Sequence, residues 1–448
     1  VLTGIFNQKK MKKLIYIFVL CLFSCNDFLD EKADISWKEP KTLDDLQALL
    51  NDENNINGFL PSLGDIASDY YYLSEQNFNS RSENARLLYS WNQAALTDNT
   101  WTFSMSQIFY FNLVLDNIDK VSLGSMSEND RKRIKGSAAF MRAMTYFQLA
   151  AIFSPQFKKG VNDNEMTIPI KKTPDIGEPI VFSTLGELYD FIETDLRTAV
   201  ELLPERQALS TRPTGLAAKT LFSRFYLSLG DWEQASFYAG EAMKENVVLM
   251  DFNDLSIDSQ VPFERFNGET IFYSTISGNE SIFTPSVANV PQDLFGLYEE
   301  GDLRKTAFFT GSGDRITFKG SYTGVNNSTL FGGLTSGELY LNYAEALIRL
   351  DKISEGLDVL GTLLKKRYVR DSFFNYSGLS KPEALDLIKK ERLKELCFKG
   401  GIRWVDLKRY AAENSEPFVI TRKVGEKSYQ IDLAKNDTPF KLPIVVGK

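Results

Sequence analysis

The chain has 448 residues, 43% of them hydrophobic and 25% charged, enough for one large core or two moderate ones. Its formal net charge is -8, from 51 Lys+Arg against 59 Asp+Glu, and no basic block occurs beyond the N-terminus, which argues against nucleic acid as a partner. The complete lack of histidine excludes Ser-His-Asp and Cys-His catalysis, His-ligated zinc and facial-triad iron together, while chemistry that needs only carboxylates stays open.

Lys12 and Lys13 precede an apolar run from Leu14 to Phe23, too short to span a bilayer but right for a secretion signal over residues 1–24. Residues 1–10 have no role in such a signal, and Met11 reads as its natural start. The run ends in Leu22-Phe23-Ser24-Cys25, similar to a bacterial lipoprotein processing site that would leave Cys25 as an acylated first residue; the alternative is an ordinary signal with a chance cysteine. After such processing Cys397 is the only thiol left, and no intramolecular disulfide can form. Cys397 lies between Leu396 and Phe398 and reads as a buried apolar filler.

Residues 25–57 form an acidic, polar tether with one short helix marked by Leu43, Leu46, Leu49 and Leu50. From Pro61 to Asn99, Tyr70, Tyr71, Tyr72, Phe78, Tyr89 and Trp91 stand among amides and hydroxyls without a helical period, which suits either a loop-built polar site or a packed long loop. Helical spacing returns from Trp101 to Val121, with Asn99 or Thr100 as cap and Trp101 as core. Ser127 and Asp130 open a helix to Phe153 that is apolar nearly all round, so Arg142 within it needs a carboxylate or carbonyls and reads as an internal clamp. A proline-punctuated connection leads to a helix capped by Thr184 and Glu187 and closed by Pro204.

Pro213 to Lys244 reads as a helical hairpin. Leu216, Leu221, Phe225 and Leu229 form one stripe, Gly230 suits the left-handed position that ends a helix, Asp231 caps the next, and Ala235, Ala239 and Ala242 let the two backbones lie close. A second hairpin follows at Gly337 to Arg367, with Asp351 or Lys352 at its joint. One such pair cannot bury both faces, so the pairs should stack. From Glu245 to Ser336 the periodicity disappears; short β pieces are expected at Thr270 to Ile276 and Arg315 to Phe318, with one local helix near Val290 to Leu297. Loops of this length are uncommon unless functional or disordered, and the aromatics Phe272, Tyr273, Phe283 and Tyr322 argue against disorder. Ser380 and Glu383 open another helix with Pro382 in its first turn. In Gly400-Gly401-Ile402-Arg403-Trp404-Val405-Asp406 a pairing of Arg403 with Asp406 is expected while Trp404 packs. The segment from Phe440 to Ile444 is extended.

Several stretches together resemble the SusD/RagB family of outer-membrane nutrient-binding lipoproteins: Cys25-Asn26-Asp27-Phe28-Leu29-Asp30; Trp101 with Ile108 and Asn112; Arg142 to Leu149; Leu229-Gly230-Asp231-Trp232; Asp302-Leu303-Arg304; Tyr340 to Ala346; Glu391 to Leu396; Arg403 to Arg409; and Leu442-Pro443-Ile444. Two departures are the extra residue in Lys399-Gly400-Gly401-Ile402 and a chain that stops at Lys448, short of an Asn/Pro-rich tail. The resemblance implies a mainly α fold, a tetratricopeptide-like helical hairpin scaffold with a loop-rich insert containing short β pieces. It also implies a lipid anchor at the outer membrane of a Bacteroidetes-type bacterium, no cofactor and no catalysis. The partner it implies is a SusC-like TonB-dependent outer-membrane β-barrel transporter, for which the protein would act as a lid that captures oligosaccharide or another nutrient. The expected division is a single domain over 58–448, with scaffold at 101–246 and 336–398 and a ligand subregion at 58–100 plus 247–335. Rival readings are a helical-repeat adaptor for a protein or peptide, and a carboxylate-dependent glycoside hydrolase.

A sugar offers C–H faces and a hydroxyl rim, so its site needs flat, rigid aromatics together with amides or carboxylates. Only Asp69 to Gln93 and Asn267 to Phe331 combine these outside a helical period. The candidate ligand-binding residues are Tyr71, Tyr72, Trp91 and Phe283, with Asp69 and Asn92 as rim partners. Tyr71 and Tyr72 are adjacent, so in an extended segment at most one of them faces ligand.

Overall fold

A computed structural model describes residues 39–443 apart from 277–279, 374, 414–415 and 436–437. The secretion signal and Cys25 lie outside the described residues.

The longer helices are α1 (Leu43–Leu50), α2 (Asp98–Asn117), α3 (Glu128–Phe153), α4 (Leu185–Leu202), α5 (Gly215–Leu229), α6 (Trp232–Met243), α7 (Ser336–Arg349), α8 (Ile353–Leu364), α9 (Lys381–Leu396) and α10 (Ile402–Glu413). Capping chemistry sets several of their starts. Thr42 with Asp45, Ser127 with Asp130, Thr184 with Glu187 and Ser380 with Glu383 each exchange side-chain and backbone hydrogen bonds across the first turn. Gly230 ends α5 at φ 73°, and Asp231 then accepts from the Gln234 amide to start α6. Helix α2 begins at Asp98, a little ahead of the expected Asn99 or Thr100 cap. Its N-cap Thr97 makes no side-chain cap; that hydroxyl donates to Lys441 O at 2.9 Å.

Each helix from α2 to α8 packs on the next in chain order, and α9 packs on α7. The two hairpins, α5–α6 and α7–α8, are far apart in sequence but stack directly through α6 and α7. Ala235, Ala239 and Ala242 are fully buried, and the Phe222 and Tyr238 rings stack at 4.1 Å across the first hairpin. The architecture is predominantly helical, consistent with a helical-repeat scaffold that carries a loop and β insert. The insert is pinned by short antiparallel ladders, Thr270–Phe272 with Leu334–Thr335, Thr275–Ile276 with Leu330–Phe331, and Phe309–Ser312 with Arg315–Phe318. The local helix expected near Val290 to Leu297 is a single turn, Gln292–Phe295.

The structure corrects two local readings and adds one element. Pro61 to Asn99 is not plain loop: Leu63–Ala67, Glu75–Asn79 and Glu83–Tyr89 are short helices, the last two capped by Ser74 and Ser82, and each too short to show a hydrophobic period. Arg403 does not pair with Asp406. On α10 it reaches Asp69 with two bonds of 2.8 and 2.6 Å, while Asp406 takes Arg392 and Arg409. Before the terminal extended segment, Val419–Val424 and Lys427–Asp432 form a β-hairpin turning at Gly425, φ 56°.

Arg142 is an internal clamp as expected. It holds Asp195 of α4 through two bonds of 2.7 and 2.8 Å and donates to Asn112 of α2 at 2.7 Å, so it ties three helices together. The scaffold's other end holds a larger buried lattice. Arg367 joins Glu269 to Glu395, Arg304 joins Glu395 to Asp302 and Glu391, and Lys394 closes on Asp302 and Glu391. Cys397 is buried at the end of α9, where burial pushes its thiol up to about 11.

Asp65 is buried without a cation. One carboxyl oxygen accepts from Tyr70 Oη at 2.5 Å and the other has no partner. Burial raises its pKa to about 6, outweighing that hydrogen bond. The folded state therefore holds a proton that the unfolded chain releases near 4, and the contribution of Asp65 to stability should fall as pH rises from about 4 to about 6. The full shift corresponds to about 3 kcal/mol. Asp65→Asn should flatten this slope in urea melts at pH 4, 5 and 6; an unchanged slope in the variant would show that another group titrates.

Candidate functional site

The two loop regions singled out from sequence do meet. Tyr72–Leu73 pairs with Ala288–Asn289, Asn77 donates to Val287 O at 2.9 Å, and Tyr72 Oη donates to Asp314 O at 2.7 Å. What the meeting produces is mostly core. Tyr71, Trp91 and Phe283 were expected as flat faces for a ligand, yet all three are buried. Tyr71 meets Phe283 edge-on at 4.9 Å and donates to Ile66 O at 2.8 Å, and Phe283 also contacts Phe398. Trp91 Nε1 donates to Ala67 O at 3.1 Å, with the Trp91 backbone at φ 52°.

The reason lies on the β-hairpin. Arg422, 4% exposed, puts its guanidinium over the rings of Tyr71, Tyr89 and Trp91 at 4.6, 4.5 and 4.3 Å. It donates to the carbonyls of Tyr89, Ile66 and Ser68 at 2.5–2.6 Å. Among the described residues it has no carboxylate in direct contact, so the aromatic faces and carbonyl dipoles supply the compensation. The aromatic set is thus used internally, to seat the hairpin.

Asp69 is occupied by Arg403. Burial works to raise its pKa, but the Arg403 charge and the paired hydrogen bonds hold the carboxyl below the usual range. Asn92 is exposed and its carbonyl accepts from Ala94 N at 2.8 Å, a local turn contact. Tyr72 is half-buried.

The open feature beside this cage is a groove of about 630 Å³ lined by Trp91, Gln93, Val419, Gln430, Ile431, Asp432, Lys435 and Thr438. Alternation along the hairpin puts one side of each strand on the cage and the other outward. Gln93 Nε2 is held by Thr438 O and Pro439 O at 2.9 and 3.2 Å, Gln430 reaches Thr421 Oγ1, and Asp432 accepts from Phe418 N and Ala434 N. Amides, a carboxylate, an ammonium and a hydroxyl therefore stand around a few apolar side chains, with the floor fixed by Arg422. This arrangement suits a hydroxyl-rich ligand. Asp432 is the only carboxylate among the described lining residues, whereas glycoside hydrolysis needs two facing carboxyls. Gln93, Gln430, Asp432, Lys435 and Thr438 were missed from sequence; the alternation from Val419 to Asp432 around Gly425 was the available signal. No group of three or more Cys, Asp or Glu that could hold a metal ion occurs among the described residues.

Comparison with known proteins covers both halves of the chain. A family model described as starch-binding associating with outer membrane matches residues 27–227, and the SusD family model matches 336–441. SusD-like protein P2 of Formosa agariphila is 26% identical over 323 residues, 66% of this chain; the match spans only 59% of that relative's length. A SusD superfamily protein of Bacteroides thetaiotaomicron superposes with TM-score 0.71 at 20% identity, covering 88% of this chain and 94% of that one. A SusD-like carbohydrate binding protein of Bacteroides vulgatus gives 0.67 at 21% identity, with 88% and 89% covered. These superpositions bear on the fold, and the two matching models, read with the hairpin stack and the motifs that build it, show that the chain belongs to the SusD/RagB family.

Proposed function

We propose that the protein binds an extracellular oligosaccharide or related nutrient in the groove beside Trp91, without chemical change to it. It delivers that ligand, as a lipoprotein lid, to a SusC-like TonB-dependent outer-membrane transporter. The single observation that carries the binding site is the groove itself: Gln93, Gln430, Asp432 and Thr438 around one concave surface, on a floor held rigid by Arg422. The description of the matching family as starch-binding and outer-membrane associated, and of the B. vulgatus relative as carbohydrate binding, supports the ligand class. In this reading the stacked pairs α5–α6 and α7–α8 are tetratricopeptide-like units, and 58–448 is one domain.

Titration of the protein with a panel of neutral glycans tests the site. Gln430→Ala should weaken the best binder about tenfold, or about 1.4 kcal/mol, with the melting temperature unchanged; Asp432→Ala should weaken it similarly and also lower the melting temperature, because its carboxylate accepts from Phe418 N and Ala434 N. A binder whose affinity ignores both substitutions would place its site elsewhere.

Location rests on Cys25. No helix among the described residues is long and apolar enough to cross a membrane; acyl chains on Cys25 would contribute roughly 0.8 kcal/mol per buried methylene. Cys25→Ser should move the protein from washed membranes to the soluble fraction. Sedimentation like that of the parent would show the anchor to be wrong or incomplete.

A further inference from the structure

A second cleft, sharing no lining residue with the groove, runs along α2. Its volume is about 260 Å³. Its floor is one helical stripe, Trp101, Met105, Ile108, Phe109 and Asn112, spaced so that all face the same side of α2. Opposite stands the segment from Pro169 to Ile180, whose lip carries Asp175, Ile176 and Glu178. Trp101 is half-buried, edge-on to Phe153, and Ile176 at the lip is 83% exposed.

That lip is held away from the helix rather than collapsed onto it. Asn112 Nδ2 donates to Lys171 O and Thr173 O at 2.9 and 3.2 Å, and Asn112 is itself gripped by Arg142, which Asp195 clamps. Lys171 N donates to Tyr146 Oη at 2.8 Å. Lys171 Nζ and Thr173 Oγ1 donate to Glu178, closing the segment on itself, and Pro169, Pro174 and Pro179 restrict its backbone. Four elements thus maintain an apolar stripe open to solvent, and a ligand entering it would have little ordering cost to meet.

We infer that this cleft is a second binding site, taking one neutral hydroxyl-bearing ring, a single glycosyl unit. The volume lies below the ~300–1,000 Å³ of pockets for drug-sized molecules, which limits the occupant to about one ring. The aromatic stripe matches a C–H face. The lip selects for donors: the Lys171 ammonium is engaged by Glu178, while Asp175 and Glu178 present carboxylate oxygens that accept from hydroxyls and repel anions. The inference does not depend on the groove, because its ligand class follows from this lip and floor alone.

The test labels the protein with 5-fluorotryptophan and follows the signals of its 5 tryptophans, with Trp101→Phe identifying the Trp101 line. Glucose, galactose, mannose and their methyl glycosides are titrated, with hexanol as apolar probe and glucuronate as anionic probe. The expected result is a saturable shift of the Trp101 line with at least one neutral sugar. The shift should be weakened about tenfold by Phe109→Ala, and by Asp175→Asn on the exposed lip should the first variant not fold. It should persist in Asp432→Ala. A Trp101 line that responds to hexanol alone, to glucuronate as strongly as to neutral sugars, or to nothing overturns the proposal. So does a response lost in Asp432→Ala, which would mean that the shift is transmitted from the groove.

Discussion

Replacing Arg422 by methionine should destabilise the protein by roughly 3–5 kcal/mol, a large fraction of the stability of an ordinary domain. Methionine fills the volume between Tyr71, Tyr89 and Trp91 but removes the donor from the carbonyls of Tyr89 and Ser68, and leaves Ile66 O with Tyr71 Oη alone. Arg422→Lys should recover only part of the loss, since an ammonium cannot reproduce the planar fork that serves two directions while lying against three rings. Urea melts followed by tryptophan fluorescence would report both the stability and the exposure of Trp91. A methionine variant within about 1 kcal/mol of the parent would show that the cage is ornamental, and with it the claim that Arg422 fixes the groove.

Neutralising Glu395 should be comparably costly. Its carboxylate is fully buried between Arg367, at 2.9 Å, and Arg304, at 3.2 Å, within a lattice in which Glu269, Asp302, Glu391 and Glu395 balance Arg304, Arg367, Lys394 and Lys399. Burial alone would raise the Glu395 pKa, but the neighbouring cations, Arg367 foremost, hold it at about 2. Glu395→Gln keeps the shape and leaves one buried positive charge uncompensated, an expected loss of about 3–5 kcal/mol at pH 7. The sign of the pH dependence is opposite to that of Asp65. A depressed folded pKa gives stability that is present above about 4.5 and disappears as pH falls toward 2, so the difference between parent and variant should shrink on acidification. A difference that stays constant from pH 7 to pH 3 would mean that the carboxylate charge contributes nothing.

The helical scaffold was legible in sequence because its signals are local. Gly230 followed by Asp231, and Ser127 with Asp130, announce helix ends within a few residues, and Arg142 in an apolar helix announces a buried clamp before its partner is known. Partners themselves were not legible. Asp406 stands three residues from Arg403, the spacing of a helical pair, yet Arg403 turns to Asp69, 334 residues away, because Arg392 and Arg409 already satisfy Asp406. The aromatic and amide mixture around Trp91 suits either a loop-built polar site or a packed long loop, and its composition alone does not separate the two. An arginine on an unrecognised hairpin lies over the ring faces, and half of the groove's lining residues come from that hairpin.

The link from Arg422 to Ile66, Ser68 and Tyr89 spans 333 to 356 residues, and that from Thr97 to Lys441 spans 344. Contacts of such high order close loops whose entropy must be met before any of them rewards the chain, so they form late. During synthesis, α5 and α6 can assemble from their own neighbourhood long before residue 422 emerges. The segment around Trp91 cannot: until its arginine arrives, three aromatic faces remain exposed to solvent and to any holding factor that recognises such surfaces. The groove therefore waits on residues from 419 onward, and a nascent chain released before them would carry the hairpin stack with no groove.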